Sequence, residues 1–157
     1  MTLPYAPLRP GELQAMQAAL EQARAAALTG EVPVGAVLVH GGTIIASAQN
    51  RMMRDRDATA HAEVLVLREA MRVLGEGRLS GGTLVVTLEP CAMCAGAIVL
   101  ARVGRLVFGA WDPKAGMCGS VGDLVRHPKL NHAPEVQGGV LEGESGALLR
   151  EFFAGRR

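Results

Sequence analysis

Apolar positions recur along the chain with two distinct periods. Leu13, Met16, Ala19, Leu20, Ala23 and Ala27 follow the three- and four-residue spacing of a helix buried along one side. Gly30 stops that pattern, so a helix is predicted from Gly11 to Leu28. Val32 to His40 is apolar and β-branched, and Gly41-Gly42 turns it back into Thr43 to Ala48, which reads as a β-hairpin. Asn50 to Thr59 is polar and reads as a loop. Ala60 to Leu74 then reads as a buried helix with Thr59 as its cap and Gly75 as its stop.

The second half alternates more regularly. Thr83 to Leu88 is a short apolar strand, Pro90 opens a helix reaching about Ala101, and Arg105 to Ala110 is the next strand. Trp111 to Asn131 is mostly loop, with a short helix expected near Gly122 to Arg126. Val136 to Leu141 reads as a last strand and Glu144 to Phe153 as a closing helix. Strand and helix in alternation imply an α/β layer fold. No repeat, linker or low-complexity segment divides the 157 residues, so one domain over residues 1–157 is expected.

Composition narrows the class. Hydrophobic residues make up 49% of the chain, which excludes a disordered one, and aromatics only 3%, so the core must be aliphatic. The formal charge of +1 excludes a protein that coats nucleic acid by global charge, though not a local basic patch. Three cysteines, one of them isolated as Cys118, do not form a disulfide framework and fit a reducing compartment. The segment Met1 to Gly11 lacks the apolar stretch of a signal peptide, and the longest apolar run, Cys91 to Ala101, is too short to span a bilayer. A cytoplasmic protein with no membrane partner is expected.

The chemistry-bearing residues are His61-Ala62-Glu63 and Pro90-Cys91-Ala92-Met93-Cys94. One imidazole and two thiols leave the fourth position of a tetrahedral zinc open, and an open position is a reactive one. Cys91 and Cys94, three apart at a helix start, share a face, and the helix N-terminus favours thiolate. Glu63 is not a ligand in this scheme and is left to move protons. A hydroxide on the zinc would attack the carbon bearing an amino group, with Glu63 passing the water proton to the ring nitrogen. Other readings stand beside this one. A His-x-Glu pair arises by chance, and a Cys-x-x-Cys pair serves in redox sites. A structural zinc would need a fourth ligand from His40, His127, His132 or Cys118.

His-x-Glu followed by Pro-Cys-x-x-Cys is the arrangement of the zinc nucleobase deaminases. Within that superfamily the chain closely resembles the bacterial tRNA-specific adenosine deaminases. The likeness runs from about Gly30 to Phe153. It rests on Glu31 to Val39, Thr59 to Glu63, Val86 to Ala97 and Val107 to Ala110. It continues through Asp112, Lys114, Gly116, Gly119-Ser120, His127-Pro128 and Asn131-His132. The resemblance implies a three-layer α/β/α cytidine-deaminase-like fold with a five-stranded mixed sheet. It implies conversion of adenosine to inosine at wobble position 34 of a tRNA, an arginine tRNA being expected, by a homodimer holding one zinc per subunit and gripping the anticodon stem-loop. By the same likeness His61, Cys91 and Cys94 are the zinc ligands and Glu63 the proton shuttle. Asn50, Val34 and the Ala62 backbone are implied to meet the base, and Asp112, Lys114, Phe152 and Arg156 the RNA.

The chain departs from the family pattern at two places. Trp111 stands before Asp112 where an arginine is common, and Leu100 where a polar residue often sits. Trp111 reads either as a stacking platform for a splayed base or as a plug packing its loop. Basic residues able to meet phosphates are Arg51, Arg54, Arg56, Lys114, Arg126, Lys129, Arg150, Arg156 and Arg157. Two other functions fit the same motifs: deamination of a free base or nucleotide such as guanine or cytosine, and a non-catalytic zinc-stabilised RNA-binding module.

Overall fold

The computed structural model describes residues 6–156, so Arg157 lies outside the described residues. Its elements, in chain order, are α1 (Glu12–Leu28), β1 (Gly35–His40), β2 (Thr43–Gln49), α2 (Met52–Asp55), α3 (Ala62–Leu74), β3 (Gly82–Leu88), α4 (Ala92–Leu100), β4 (Arg105–Ala110), β5 (Glu135–Gln137) and α5 (Glu142–Ala154). The strands form a five-stranded sheet in the order β2-β1-β3-β4-β5. β1 pairs antiparallel with β2 and β3, while β3–β4 and β4–β5 are parallel. The sheet is therefore mixed, as expected. Gly41 and Gly42 both take positive φ, 59° and 77°, the geometry a two-residue hairpin turn needs.

Alternation along the central strands builds a core on each face. Ala36, Leu38, Leu84, Val86, Leu106 and Phe108 meet Val66, Leu67, Ala95 and Ile98 of α3 and α4. Val37, Val85 and Val107 point the other way, to Met16, Ala19 and Leu20 of α1 and Leu148 of α5. A side-chain period of two, apolar at every step, is what a sheet covered on both faces requires. Each fully buried Leu, Met or Phe contributes about 1.5–3 kcal/mol by leaving water. Helix α1 rides so close to β1 that a Cβ at Gly35 would stand 2.0 Å from the Ala19 carbonyl oxygen.

Four local expectations are corrected. Helix α3 begins at Ala62, not Ala60. Thr59 does not cap it but donates its hydroxyl to Asp57 Oδ1 at 2.7 Å, and His61 takes the N-cap position in extended conformation. Within the stretch read as loop, Met52–Asp55 closes one helical turn, because the buried Glu31 carboxylate accepts the N–H groups of Met53 (3.0 Å) and Arg54 (2.7 Å). The helix expected near Gly122 to Arg126 is absent. Asp123 instead bridges to Cys118 and accepts from the Arg126 guanidinium at 2.7 Å. The last strand covers only Glu135–Gln137, after which Gly139 and Val140 donate to Gly109 and Phe108 carbonyls outside the regular ladder.

Among the described residues, Arg105 and Glu12 form an ion pair buried among these layers. Arg105, 2% exposed, sends Nε to Glu12 Oε2 (2.6 Å) and Nη2 to Glu12 Oε1 (2.7 Å), tying the start of β4 to the first turn of α1. Burial alone would raise the Glu12 carboxyl, but hydrogen bonds from Arg105 and from the Arg9 N–H outweigh it and hold the group below its ordinary value.

Candidate metal centre and active site

Two helices start at one point beyond the carboxyl end of β3. His61 is the residue before α3 and Cys91 the residue before α4, both in extended backbone conformation. Neither side chain makes a capping hydrogen bond, so each projects ahead of its helix. His61 Nδ1 lies 3.6 Å from Cys91 Sγ and 3.5 Å from Cys94 Sγ. A tetrahedral zinc with ordinary Zn–S and Zn–N bonds requires an N···S separation of about 3.6 Å. The spacing thus fits such an ion, and the donor set of one imidazole and two thiols suits zinc. Among the described residues His61, Cys91 and Cys94 could hold a metal ion, their ligand atoms all within 4.8 Å of one another. His40, His127, His132 and Cys118 stand outside that group, and His132 Nε2 is engaged by the Val103 carbonyl at 2.7 Å. Three ligands leave a coordination position for a reactant, which a closed structural site lacks.

The electrostatics favour one thiolate in the cradle. Hydrogen bonds from Cys94 and His61 bring the Cys91 thiol down to about 3, so it is a thiolate at neutral pH. The hydrogen bond with Cys91 and burial push Cys94 the other way. Glu63 sits in the first turn of α3, 4% exposed. Burial pushes its carboxyl above the ordinary value, and a backbone hydrogen bond and the charge on His61 only partly offset this.

A cavity of about 180 Å³ opens over these groups. It gathers Val34, Asn50, His61, Ala62, Glu63, Cys91 and Asp112, so most of the residues singled out from sequence share one space. Asn50 donates Nδ2–H to the Val32 carbonyl and accepts from the Met52 N–H, each at 3.4 Å, the long end for such bonds. An adjoining groove of about 390 Å³ shares Val32, Leu88 and Asp112 and adds Trp111, Lys114, Leu149 and Phe153. Trp111 packs edge-on against Phe108, ring centroids 4.9 Å apart, as the loop-packing reading expects, and it also lines this groove. Phe152 does not join the site. It is 8% exposed and lies under the Arg156 guanidinium, 3.5 Å from its ring, while its neighbour Phe153 faces the groove. Of the basic residues, Arg51 pairs with Asp55 and Arg126 with Asp123, whereas Arg54, Arg56, Lys114, Lys129, Arg150 and Arg156 are exposed.

Besides Glu12, the buried carboxylates Glu31 and Glu89 carry roles that the sequence does not announce. Glu31 organises α2 beneath Asn50. Glu89, 2% exposed, lines the cavity and accepts from the N–H groups of Asp112 (2.9 Å), Cys118 (3.1 Å) and Ser120 (2.9 Å) and from the Ser120 hydroxyl. The available signal was an acidic residue closing an otherwise apolar strand just before Pro90.

The fold, with a His/Cys/Cys group that could hold a metal, is that of the deaminase class. The MafB19-like deaminase family model matches residues 11–157. The tRNA-specific adenosine deaminase of Bacillus subtilis (strain 168) is 52% identical over 138 residues, 88% of this chain and 86% of its own length. A solved structure from studies of A-to-I editing by tRNA:A34 deaminases at the wobble position of transfer RNA superposes with TM-score 0.84 at 48% identity. That match covers 87% of this chain and 99% of the other. The guanine deaminase of Nitrosomonas europaea superposes with TM-score 0.79 at 28% identity, covering 98% and 87%. The chain belongs to the tRNA-specific adenosine deaminase family.

Proposed function

We propose that the protein is a zinc-dependent hydrolase that converts adenosine to inosine at wobble position 34 of tRNA, an arginine tRNA being the expected substrate. The observation that carries this reading is the meeting of the His61–Cys91–Cys94 cradle with the buried Glu63 in the cavity bordered by Asn50. His61, Cys91 and Cys94 would hold the zinc, which would act as a Lewis acid and lower a water's pKa to about 7. Glu63 takes a proton from the attacking water and delivers it to the purine ring nitrogen, a step favoured by a carboxyl raised by burial. Asn50 offers both a donor and an acceptor to the purine edge. Ala62, whose N–H in the first turn of α3 has no acceptor inside its helix, lines the same space and would offer that N–H to the base, against which Val34 would pack. Glu63 then takes the remaining proton from the hydroxyl added to the purine carbon and passes it to the amino group, so the C–N bond breaks, ammonia leaves and the carbonyl of inosine remains.

The shape of the site favours a polymer substrate. The cavity continues into a groove with exposed Lys114, Trp111 and Phe153, and such a groove suits nucleotides flanking an extruded loop base. The proposal includes one zinc per subunit, a single domain over residues 1–157, a homodimer, and a cytoplasmic setting that keeps the thiols reduced. The dimer reading is supported by an apolar groove between α3 and α4, lined by Leu67, Met71, Ala97 and Leu100, with Leu100 81% exposed. No described helix is long and apolar enough to cross a membrane.

Incubation with unmodified tRNA carrying adenosine at position 34, followed by sequencing for inosine, tests the reading. Inosine at that position is expected. Ammonia released from free guanine or cytosine, with no inosine in the tRNA, would replace it with the small-molecule alternative.

A further inference from the structure

Glu89 is buried beside the metal cradle yet takes no part in metal binding or proton transfer as derived above. Its two carboxylate oxygens accept four hydrogen bonds, all from the segment running from Asp112 to Ser120. Oε1 holds the Asp112 N–H and the Ser120 hydroxyl, and Oε2 holds the N–H groups of Cys118 and Ser120. None of these donors is cationic, so the charge is met by backbone dipoles and one hydroxyl. The loop closes tightly around it. A Cβ at Gly116 would stand 2.3–2.5 Å from the carboxyl atoms of Glu89. Pro90, the next residue, accepts from the Met117 N–H at 2.9 Å, and Cys91 follows it.

One side chain therefore sets the distance between two parts of the site. On its own strand end it is two residues from Cys91, and across the cavity it holds Asp112, which borders both the cavity and the groove. We propose that Glu89 is a positioning residue: it keys the Asp112–Ser120 wall to the metal cradle and thereby sets how RNA is held, without touching the proton path. This rests on the tRNA reading above. A glutamine in its place turns an amide N–H₂ toward N–H donors, so at least one backbone donor loses its acceptor while side-chain shape is kept.

The test compares zinc-loaded wild type, Glu89→Gln and Ser120→Ala on an anticodon stem-loop with adenosine at position 34. It reads zinc content, thermal midpoint, KM and kcat, and amide exchange across residues 112–120. For Glu89→Gln, KM is expected to rise about tenfold and kcat to fall no more than about threefold, as loss of uniform binding requires. Zinc stays bound, and exchange accelerates at Asp112, Cys118 and Ser120. Ser120→Ala is expected to give a smaller rise in KM, about threefold, and it decides the matter alone if Glu89→Gln does not fold. Unchanged KM, a fall confined to kcat, or loss of zinc in a folded variant overturns the proposal. If the wild type makes no inosine, it is the tRNA reading that fails; amide exchange in the two variants then tests the wall-keying by itself, and unaltered exchange overturns it.

Discussion

His61 and Cys91 each stand at the residue that starts a helix, and His61 Nδ1 lies 3.6 Å from Cys91 Sγ. Two helix N-termini thus converge on one point, where their dipoles favour thiolate, and one turn into α4 Cys94 completes the set. These three side chains sit in the first turns of helices rather than on flexible loops, so the cradle they could offer a metal is held by the same core that holds the sheet.

Metal content follows from that convergence. Wild type is expected to carry about one zinc per chain, with Cys91→Ala and His61→Ala well below stoichiometry and inactive, and Cys118→Ala fully loaded. Metal analysis of the purified variants checks this. Full zinc in Cys91→Ala, or loss of it in a folded Cys118→Ala, would assign the ligands wrongly.

The buried Glu12–Arg105 pair makes stability depend on pH. Glu12 titrates below its ordinary 4.5, so its stabilisation is complete above that value and is lost as pH falls through the lowered one. Glu12→Gln removes the nearer counter-charge of the buried Arg105, leaving only Glu135 at 3.9 Å, and is expected to cost about 1.5–3 kcal/mol near neutrality. Urea midpoints from about pH 6 to about pH 3 should converge for wild type and variant. Parallel curves would mean that the pair does not couple to folding.

The two C-terminal phenylalanines should separate cleanly. Phe153→Ala is expected to weaken stem-loop binding about tenfold with little change in thermal midpoint, because its ring faces the groove. Phe152→Ala empties a buried position and is expected to cost about 3 kcal/mol of stability. Fluorescence anisotropy and thermal melts on both variants distinguish them, and an inverted pattern would mean that Phe152 is the RNA contact.

Much of this was legible in the chain, for physical reasons. Strands buried on both faces write continuous apolar runs, so β1, β3 and β4 announce themselves, and Gly41-Gly42 admits few conformations besides a tight turn. The His61, Cys91 and Cys94 group was legible because the two motifs in that order match the arrangement of the zinc nucleobase deaminases. What stayed hidden depends on contacts distant in sequence. The α2 turn exists because Glu31 reaches across 22 residues to Met53 N–H, and the segment near Gly122 stays non-helical because Asp123 is drawn to Cys118. Phe152 and Phe153 are adjacent and chemically alike, so only the rotation of α5 decides which is buried. The role of Glu89 stays hidden in the sequence because its partners all lie 23 to 31 residues further on.

Glu63→Gln offers the most direct measurement. The substitution keeps the shape of the side chain in its buried place and removes its ability to accept a proton. With zinc content matched to wild type, inosine at position 34 of the tRNA is quantified by sequencing over a time course. Wild type is expected to form inosine, and Glu63→Gln to do so about 10²–10⁴-fold more slowly with its zinc retained. Inosine formed at the wild-type rate by the zinc-loaded Glu63→Gln protein would contradict the account.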